Sequence, residues 1–363
     1  MKTLPILTAL GFLLLFAIGA NAKPNFEIIA ELASGPGNVT ATEDGRLILS
    51  LHQFYEPKYS VMEYKDGSLI PFPNQELSAA DSISKLKLDS VLGIRSANGI
   101  VWMLDNGMRS GVTPKLVGWD TQANKLYKMI ELPEPVSHKD SFVNDFAVDT
   151  KHNHIFISDP AGGTNAALIV IDLSTGTARR VLEGRKSVVP ENIDLIIDKT
   201  AIQLKDKSGK LIRPHIGVNP ITEDLNNEWV YFGPMHGLSL YRVKAEDLAN
   251  KTLSGDELAT RVERYSDKPI SDGISIDKAG NIYLGELAEN AIGVIASDRK
   301  YLRLAQGPKL SWVDSFSFGA NGQLYAVVNR LHQSATLNDG VLAAKPPFYL
   351  LKVNALASGL PGR

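Results

Sequence analysis

The sequence predicts an all-β protein, a six-bladed β-propeller, and the main observation behind this is a repeat. Six times, a turn built on Gly, Asn or Asp is followed by a short apolar strand. The copies read DGRLIL, NGIVWM, HNHIFI, NNEWVY, GNIYLG and NGQLYA, and they begin 54, 54, 74, 53 and 42 residues apart when counted at positions 46, 100, 154, 228, 281 and 323. A period of this size, without long helical stretches, is typical of propellers, whose blades are four-stranded antiparallel sheets of ~40–50 residues.

Apolar and other residues alternate within the repeats, which indicates β-strands. In the third repeat, apolar residues are spaced two apart at Phe146 and Val148 and again at Ile155 and Ile157, with turn residues between the runs. Period two bounded by Asn, Asp and Gly indicates β-strands. The same pattern predicts blades at 36–73, 90–133, 141–184, 214–249, 269–307 and 310–353.

Two stretches lie outside the repeat. Gln75–Leu88 contains a predicted short helix around Ser78–Leu86, and Arg185–Arg213 is a polar insertion with a hairpin tip at residues 205–210. Loops of this length in a compact domain are usually functional covers or mobile decoration. Because an open ring would leave strand edges exposed, we expect a strand over Phe26–Leu32 to complete the last blade beside Phe348–Val353.

Residues 1–22 have the features of a secretory signal peptide. Lys2 precedes an apolar run over residues 6–18, and Ala20-Asn21-Ala22 fits an A-x-A cleavage site. The alternative is an N-terminal membrane anchor, for which the apolar run is short. We therefore expect a secreted or periplasmic protein in which residues 23–363 form one propeller domain.

The composition excludes several function classes. The net charge of −2 comes from interspersed acidic and basic residues, so neither nucleic acid nor a membrane surface is an expected partner. There is no cysteine, which excludes disulfides and a thiol nucleophile. No G-x-S-x-G motif or Gly-rich phosphate loop occurs, and we expect no nucleotide, haem or flavin. A monomer that binds a small molecule is the expectation.

Longer runs go beyond the repeat. The segments VWMLDNG (101–107), PKLVGWD (114–120), VNDFAVD (143–149), FISD (156–159), WVDSFSF (312–318) and VNRL (328–331) resemble the Yellow/major royal jelly protein family, and SLHQF (50–54) resembles its bacterial branch. The resemblance spans almost the whole chain after residue 22. It implies a secreted six-bladed propeller, and it leaves the chemistry open, since members are linked to dopachrome conversion, to binding of amines or sterols, and to nutrition.

A weaker resemblance concerns metal binding. Gluconolactonase-like and paraoxonase-like propellers hold a divalent cation with side chains placed just before the innermost strands. Asn144-Asp145 and Asp272-Gly273 resemble two of their four positions, whereas the expected first-blade Glu is missing and Pro214-His215-Ile216 stands in place of the fourth-blade Asn.

Polar residues at the start of each innermost strand are expected to converge on the propeller axis. Aligning the repeats places Asn38, Asn144, His215, Asp272 and Asp314 at these positions, with Asp105 following its strand at the other end. Carboxylate and amide oxygens suit Ca²⁺ or Mg²⁺, so we assign Asn38, Asn144, Asp272 and Asp314 as candidate metal ligands. The alternative is that they bond only to backbone amides and water.

Two functions remain open from the sequence. In one, the protein binds a small organic molecule with Trp312, His236 and Asp105 as ligand-binding residues. In the other, it is a metal-assisted lactone or ester hydrolase, or a tautomerase of a quinone-like compound, in which His52 or His215 moves protons. The missing first-blade Glu favours binding.

The signal peptide gives a first test. Cleavage after Ala22 should leave Lys23 as the N-terminus of the exported protein, which N-terminal sequencing of the extracellular or periplasmic fraction would show. An exported protein that still begins at Met1 would contradict this expectation.

Overall fold

The computed structural model describes residues 25–206 and 208–363. Six four-stranded antiparallel sheets form a six-bladed β-propeller, which confirms the fold predicted from the repeat. The predicted signal peptide lies outside the described residues. Within the described part of the chain, no helix is both long and apolar enough to cross a bilayer.

The first three blades follow one another along the chain, each with its strands in sequential order. Strand β1 (Phe26–Leu32) precedes them. Blade 1 contains β2 (Pro36–Ala41), β3 (Leu47–Leu51), β4 (Val61–Lys65) and β5 (Ser68–Pro71); blade 2 contains β6 (Val91–Ala97), β7 (Ile100–Asp105), β8 (Lys115–Asp120) and β9 (Lys125–Glu131); blade 3 contains β10 (Phe146–Asp149), β11 (His154–Asp159), β12 (Ala167–Asp172) and β13 (Thr177–Val181).

The insertion after blade 3 forms two small hairpins, of which only the second, with its tip at residues 205–210, was predicted from the sequence. They are β14 (Ile196–Ile197) with β15 (Thr200–Ala201), and β16 (Leu204–Lys205) with β17 (Leu211–Ile212). The remaining blades follow. Blade 4 contains β18 (Val218–Glu223), β19 (Trp229–Pro234), β20 (Ser239–Lys244) and β21 (Glu263–Asp267); blade 5 contains β22 (Ile274–Ile276), β23 (Ile282–Glu286), β24 (Ala291–Ile295) and β25 (Tyr301–Gln306); blade 6 contains β26 (Val313–Phe318), β27 (Leu324–Val328) and β28 (Phe348–Val353), with β1 as its outer strand.

The helices are short and correct two sequence expectations. They are α1 (Gln75–Ser78), α2 (Ala245–Ala249) and α3 (Gly255–Thr260), with single 3₁₀ turns at Gln53–Tyr55, Leu287–Glu289, Pro308–Leu310 and Leu331–Gln333. The helix expected around Ser78–Leu86 instead begins at Gln75, because the Asn74 side chain caps it by accepting from the Leu77 N–H. Blade 4 does not end at residue 249, since α2 and α3 intervene before its outer strand.

Pairing of the first strand with the last closes the ring. Strand β1 is antiparallel to β28, with Phe26 opposite Val353 and Leu32 opposite Phe348. This is the closure expected from the sequence, and it leaves no blade with three strands. The innermost strands then form a continuous circle in which β2 contacts both β6 and β26.

Side-chain hydroxyls seal the inner strand edges between blades. The Val39 N–H donates to Ser315 Oγ at 3.0 Å, and the Ala41 N–H donates to Ser317 Oγ at 3.2 Å, both across the boundary between blades 1 and 6. The Ser96 N–H donates to Thr40 Oγ1 at 2.8 Å across the next boundary. The inner edge, which would otherwise offer unpaired backbone groups, is satisfied in this way.

Apolar side chains fill the space between neighbouring blades. Phe146, Ile155 and Ile157 of blade 3 pack with Trp102 and Leu104 of blade 2 in one buried cluster. Similar clusters lie at other blade boundaries, including one that joins Leu49 to Leu350 across the ring closure. The core is therefore divided into layers between the sheets, which hold the inner strands at fixed positions around the axis.

The close packing of the blades predicts that a side chain at position 285 would destabilise the protein. An added Cβ there would overlap the carbonyl oxygen of Val313 in the neighbouring inner strand, whereas a Cβ at Gly255 would meet nothing within 4 Å. Gly285→Ala should lower the free energy of unfolding by about 1–3 kcal/mol, the usual penalty of overpacking. Gly255→Ala, at the start of α3, should be neutral or slightly stabilising. Urea unfolding of both variants measures the difference, and equal stabilities would contradict this account of the blade boundary.

Candidate functional site

A cavity of about 610 Å³ opens at the end of the ring where the innermost strands begin. Each blade contributes at least one residue from the start of its inner strand. These residues are Gly37, Leu92, Asn144, Asn219, Asp272 and Asp314. Residues that are far apart in sequence therefore line one site. Of the five residues predicted to converge, Asn144, His215, Asp272 and Asp314 line this cavity, whereas Asn38 does not.

A chain of amide and carboxyl groups crosses the floor of this cavity. Asn144 Nδ2 donates to Asn219 Oδ1, and Asn219 Nδ2 donates to Asp272 Oδ1. The second oxygen of Asp272 accepts from Trp312 Nε1 at 2.8 Å. Both oxygens of Asp272 are thus engaged, and its carboxyl group is fixed in orientation.

A second network contains the buried guanidinium of Arg95. Arg95 Nη1 donates to Asn38 Oδ1 at 2.8 Å, and Asn38 Nδ2 donates to Asp145 Oδ1 at 2.7 Å. Separately, Asn329 Nδ2 donates to Asp314 Oδ2 and, at 2.9 Å, to the Pro36 carbonyl. Asn38, a candidate metal ligand from the sequence, uses both ends of its amide within this network.

Three buried carboxyl groups therefore share the end of the axis with one buried cation. Burial raises the pKa of Asp272 to about 7, and the nearby charge of Asp145 adds to the effect. Burial, followed by repulsion from Asp272 and Asp145, holds the pKa of Asp314 well above its usual range. Burial also raises the pKa of Asp145, although Arg95 opposes this. When ionised, the three carboxyl groups carry more negative charge than Arg95 compensates.

Trp312 is both a wall of the cavity and a support for its floor. The residue is fully buried and lies in the left-handed region at a φ of 61°, an unusual backbone conformation for a bulky side chain. Its indole stacks on His332 at 6.0 Å between ring centroids. A strained backbone conformation persists where the surrounding contacts hold the residue in place. The hydrogen bond from Trp312 Nε1 to Asp272 and the stacking on His332 are such contacts.

Some oxygens of these carboxyl and amide groups accept no hydrogen bond, although Asp145 itself does not line the cavity. Among the described residues, Asp145 Oδ2, Asp314 Oδ1 and Asn144 Oδ1 accept no hydrogen bond from the protein. Two carboxyl oxygens and one amide oxygen are hard donors of the kind that Ca²⁺ prefers, but Ca²⁺ takes six to eight oxygen ligands. No group of three His, Cys, Asp or Glu within residues 25–206 and 208–363 is arranged to hold a metal ion. The donors fit a cation only in part.

The two histidines proposed for proton transfer occupy different environments. Both line the cavity. His52 Nδ1 accepts from the Phe54 N–H at 3.2 Å, and burial lowers the pKa of this histidine to about 3. His215 is half-buried, and its Nε2 lies 3.1 Å from Asp194 Oδ1. Neither His52 Nε2 nor His215 Nδ1 bonds another described residue, so each histidine keeps one open ring nitrogen.

His236 and Asp105 lie away from the cavity lining. His236 is fully buried, its Nδ1 accepts from the Ile216 N–H at 3.1 Å, and burial lowers its pKa to about 3. Asp105 is fully buried in blade 2, where it accepts backbone N–H groups, among them that of Ser90 at 2.8 Å, and pairs with Lys115 at 2.9 Å. These contacts give Asp105 a structural role in fixing the end of its strand.

Sequence reasoning missed three residues of the site. Asn219, not His215, is the blade 4 residue at the start of its inner strand; the long insertion before this blade displaced the alignment of repeats. Asp145 was visible in the Asn144-Asp145 motif, but only Asn144 was assigned. Asp194 lies within the insertion and carried no signal in the sequence.

The raised carboxyl pKa values predict a specific pH dependence of stability. The pKa of Asp272 is about 7 in the folded protein and 3.8 in the unfolded chain. Between these pH values the folded protein binds a proton that the unfolded chain has lost. The free energy of unfolding should therefore fall as pH rises from about 4 to about 7. Asp272→Asn should reduce the loss of unfolding free energy between these pH values by on the order of 1 kcal/mol or more. Asp81→Asn, at an exposed carboxylate, is the control. Urea unfolding at several pH values measures how stability depends on pH. The same dependence in Asp272→Asn and in the parent protein would refute the raised pKa of Asp272.

Solved structures share the propeller architecture with this chain. A calcium-binding protein, regucalcin, from Agrobacterium tumefaciens is 14% identical, with a TM-score of 0.56 over 93% of this chain and 98% of that one. A luciferin-regenerating enzyme is 11% identical, with a TM-score of 0.55 over 93% of this chain and 97% of that one. At such low identity these likenesses show the fold alone.

The sequence comparisons give the family. Major royal jelly protein 3 of Apis mellifera is 20% identical over 243 residues, which is 64% of this chain and 42% of the bee protein. The chain thus spans less than half the length of this relative. The family model for major royal jelly proteins matches residues 90–353, most of the chain. The chain belongs to the major royal jelly protein family.

Proposed function

We propose that this protein binds a small organic molecule in the cavity at the start of the inner strands. The observation that carries the proposal is the combination of apolar walls with a floor of buried carboxyl groups. The ligand that fits has an apolar or aromatic body and a cationic or hydrogen-bond-donating group.

The walls favour an apolar body. Phe54, Phe142, Trp312, Leu331 and Leu337 line the cavity above the floor. A volume of about 610 Å³ lies within the range of small-molecule sites, which are mostly apolar with a few convergent polar groups. Flat aromatic walls favour a planar ligand, because such pairs gain more than their buried area alone provides.

The floor favours a donor or a cation. Asp272 and Asp314 hold their protons more tightly than ordinary carboxyl groups because each is buried and near other carboxyls. An ammonium or N–H group placed against them would offset this repulsion and release protons. Recognition of an anionic ligand there would add to the repulsion, so the same charge provides selectivity.

A second candidate function is metal-assisted catalysis. The open oxygens of Asp145, Asp314 and Asn144 could share in holding Ca²⁺ or Mg²⁺, with water completing the coordination. A bound divalent cation would polarise a lactone, ester or quinone carbonyl. His215, oriented by Asp194, would then move the proton, while His52 with its depressed pKa would not.

The cellular setting belongs to the proposal as well. The signal-peptide features of residues 1–22 support a secreted or periplasmic protein. The mixed charge supports a protein that engages neither nucleic acid nor membrane lipid, and we propose that it is a monomer.

A binding experiment separates the two functions. Phenethylamine and its neutral analogue 2-phenylethanol have the same ring, so isothermal titration should show tighter binding of the amine. Asp314→Asn should weaken amine binding at least tenfold, which is about 1.4 kcal/mol, and Asp81→Asn should leave it unchanged.

Calcium binding tests the second candidate function, metal-assisted catalysis. Melting curves recorded against calcium concentration would show stabilisation of the parent protein only if the cation binds the folded state. Stabilisation by calcium without amine binding would replace the first function by the second. Equal binding of amine and alcohol would remove the role assigned to the carboxyl floor.

A further inference from the structure

We infer that strands β16 and β17 form a hinged flap over the cavity, and that a ligand enters when this flap parts from the blade 6 loop at residues 337–339. The inference rests on the proposed function, because it describes how a ligand reaches the same cavity. It gives a role to the insertion after blade 3, which the blade repeat does not require.

The flap has one face on the cavity. Leu204 of β16 and Ile212 of β17 are paired across the hairpin, and both line the cavity. Because side chains alternate along a strand, the next pair, Lys205 and Leu211, points to the opposite side. Both residues of that pair are exposed. A short hairpin thus covers part of the cavity with one face and presents the other face to solvent.

The flap reaches across the ring. Its chain leaves the ring between blades 3 and 4, and its contact is with the blade 6 loop that follows β27. In the closed ring, blade 6 neighbours neither blade 3 nor blade 4. Thr336 and Leu337 of the same loop also line the cavity. The contact between flap and loop therefore borders the cavity on the side away from the base of the flap.

Few bonds hold the flap against this loop. The Gln203 N–H donates to the Leu337 carbonyl at 3.2 Å, and the Asp339 N–H donates to the Gln203 carbonyl at 3.5 Å. Lys205 Nζ lies 2.9 Å from Asp339 Oδ1, and both side chains are about half exposed. Exposed ion pairs contribute little to stability. Separation of the flap from the loop therefore has a low free-energy cost.

The chain on either side of the flap is held more firmly. Before the flap, Ile202 is buried in a cluster with Leu195 and Trp312. After the flap, the Ile216 N–H donates to His236 Nδ1 at 3.1 Å, and the His236 N–H donates to the Ile216 carbonyl at 3.0 Å. Weakly held segments between well-packed ones open locally. The flap can thus move while the rest of the insertion stays in place.

A thiol inside the cavity measures opening without any ligand. The chain has no cysteine, and Leu92 lines the cavity while being 2% exposed. The thiol of Leu92→Cys should therefore react with iodoacetamide when the reagent enters the cavity. Adding Lys205→Glu places two acidic side chains at the closing contact and should raise the modification rate about threefold to tenfold. Combining Lys205→Glu with Asp339→Lys restores opposite charges and should return the rate to within about twofold of the starting value.

Two controls accompany this measurement. Lys300→Glu reverses one charge of an exposed ion pair with Asp298, which does not line the cavity, and should leave the rate unchanged. Ile83→Cys, at a fully exposed position, should react at one rate in all flap variants. Melting curves establish that each variant is folded. A Leu92→Cys thiol that reacts equally in every flap variant, or in none of them, would overturn the inference.

The thiol measurement and the binding experiment fail separately. If the modification rate follows the charges at the closing contact but neither phenethylamine nor 2-phenylethanol binds, the proposed function fails while the flap is retained. If either compound binds and the charges do not alter the modification rate, the flap is refuted while the binding function stands.

Discussion

Closure of the ring by β1 and β28 is the constraint on which the site depends. Without the outer strand that β1 provides, blade 6 would end at β28 and its edge would be exposed. The closed ring forces β2 against β26, and the hydroxyls of Ser315 and Ser317 then bond the backbone of blade 1. This contact places Asp314 and His52 around the same cavity, although 262 positions separate them in the sequence. The chemistry of the cavity is thus a consequence of how the propeller closes.

The fold could be predicted from the sequence because its signal is local and repeated. Turns with Gly, Asn or Asp followed by alternating apolar residues occur in every blade, and each copy supports the others. The site is less local. Asn144, Asp272 and Asp314 were recognised because they directly precede or begin an apolar strand. Asn219 has the same position in blade 4, but the insertion before that blade shifted the register on which the assignment depended.

Other features of the site could not be obtained from sequence patterns. The position of Asp194 beside His215 depends on how the insertion folds back over the ring. The contact between Arg95 and Asn38 joins two blades. The backbone conformation of Trp312 has no signature in its neighbours. Each is a tertiary contact between segments whose local sequence is compatible with many other arrangements.

The uncompensated carboxyl charge has an implication for stability. Burying ionisable groups without full compensation is unfavourable, and proteins retain such groups mainly where function requires them. Arg95 balances one carboxyl group through Asn38 and its own charge, which leaves Asp272 and Asp314 without a cation of their own. A ligand with a cationic nitrogen would supply the missing charge and stabilise the folded state at the same time.

The environments of the two cavity histidines bear on the choice between binding and catalysis. The backbone N–H that fixes His52 Nδ1 also removes that nitrogen from proton transfer, and burial keeps the ring neutral. His52 is therefore suited to recognition. His215 is more exposed, but its partner Asp194 is shared with Arg213, which draws negative charge away from the imidazole. The neutral state of His52 and the raised pKa values of the carboxyl groups thus support the proposed binding function over the proposed catalytic one.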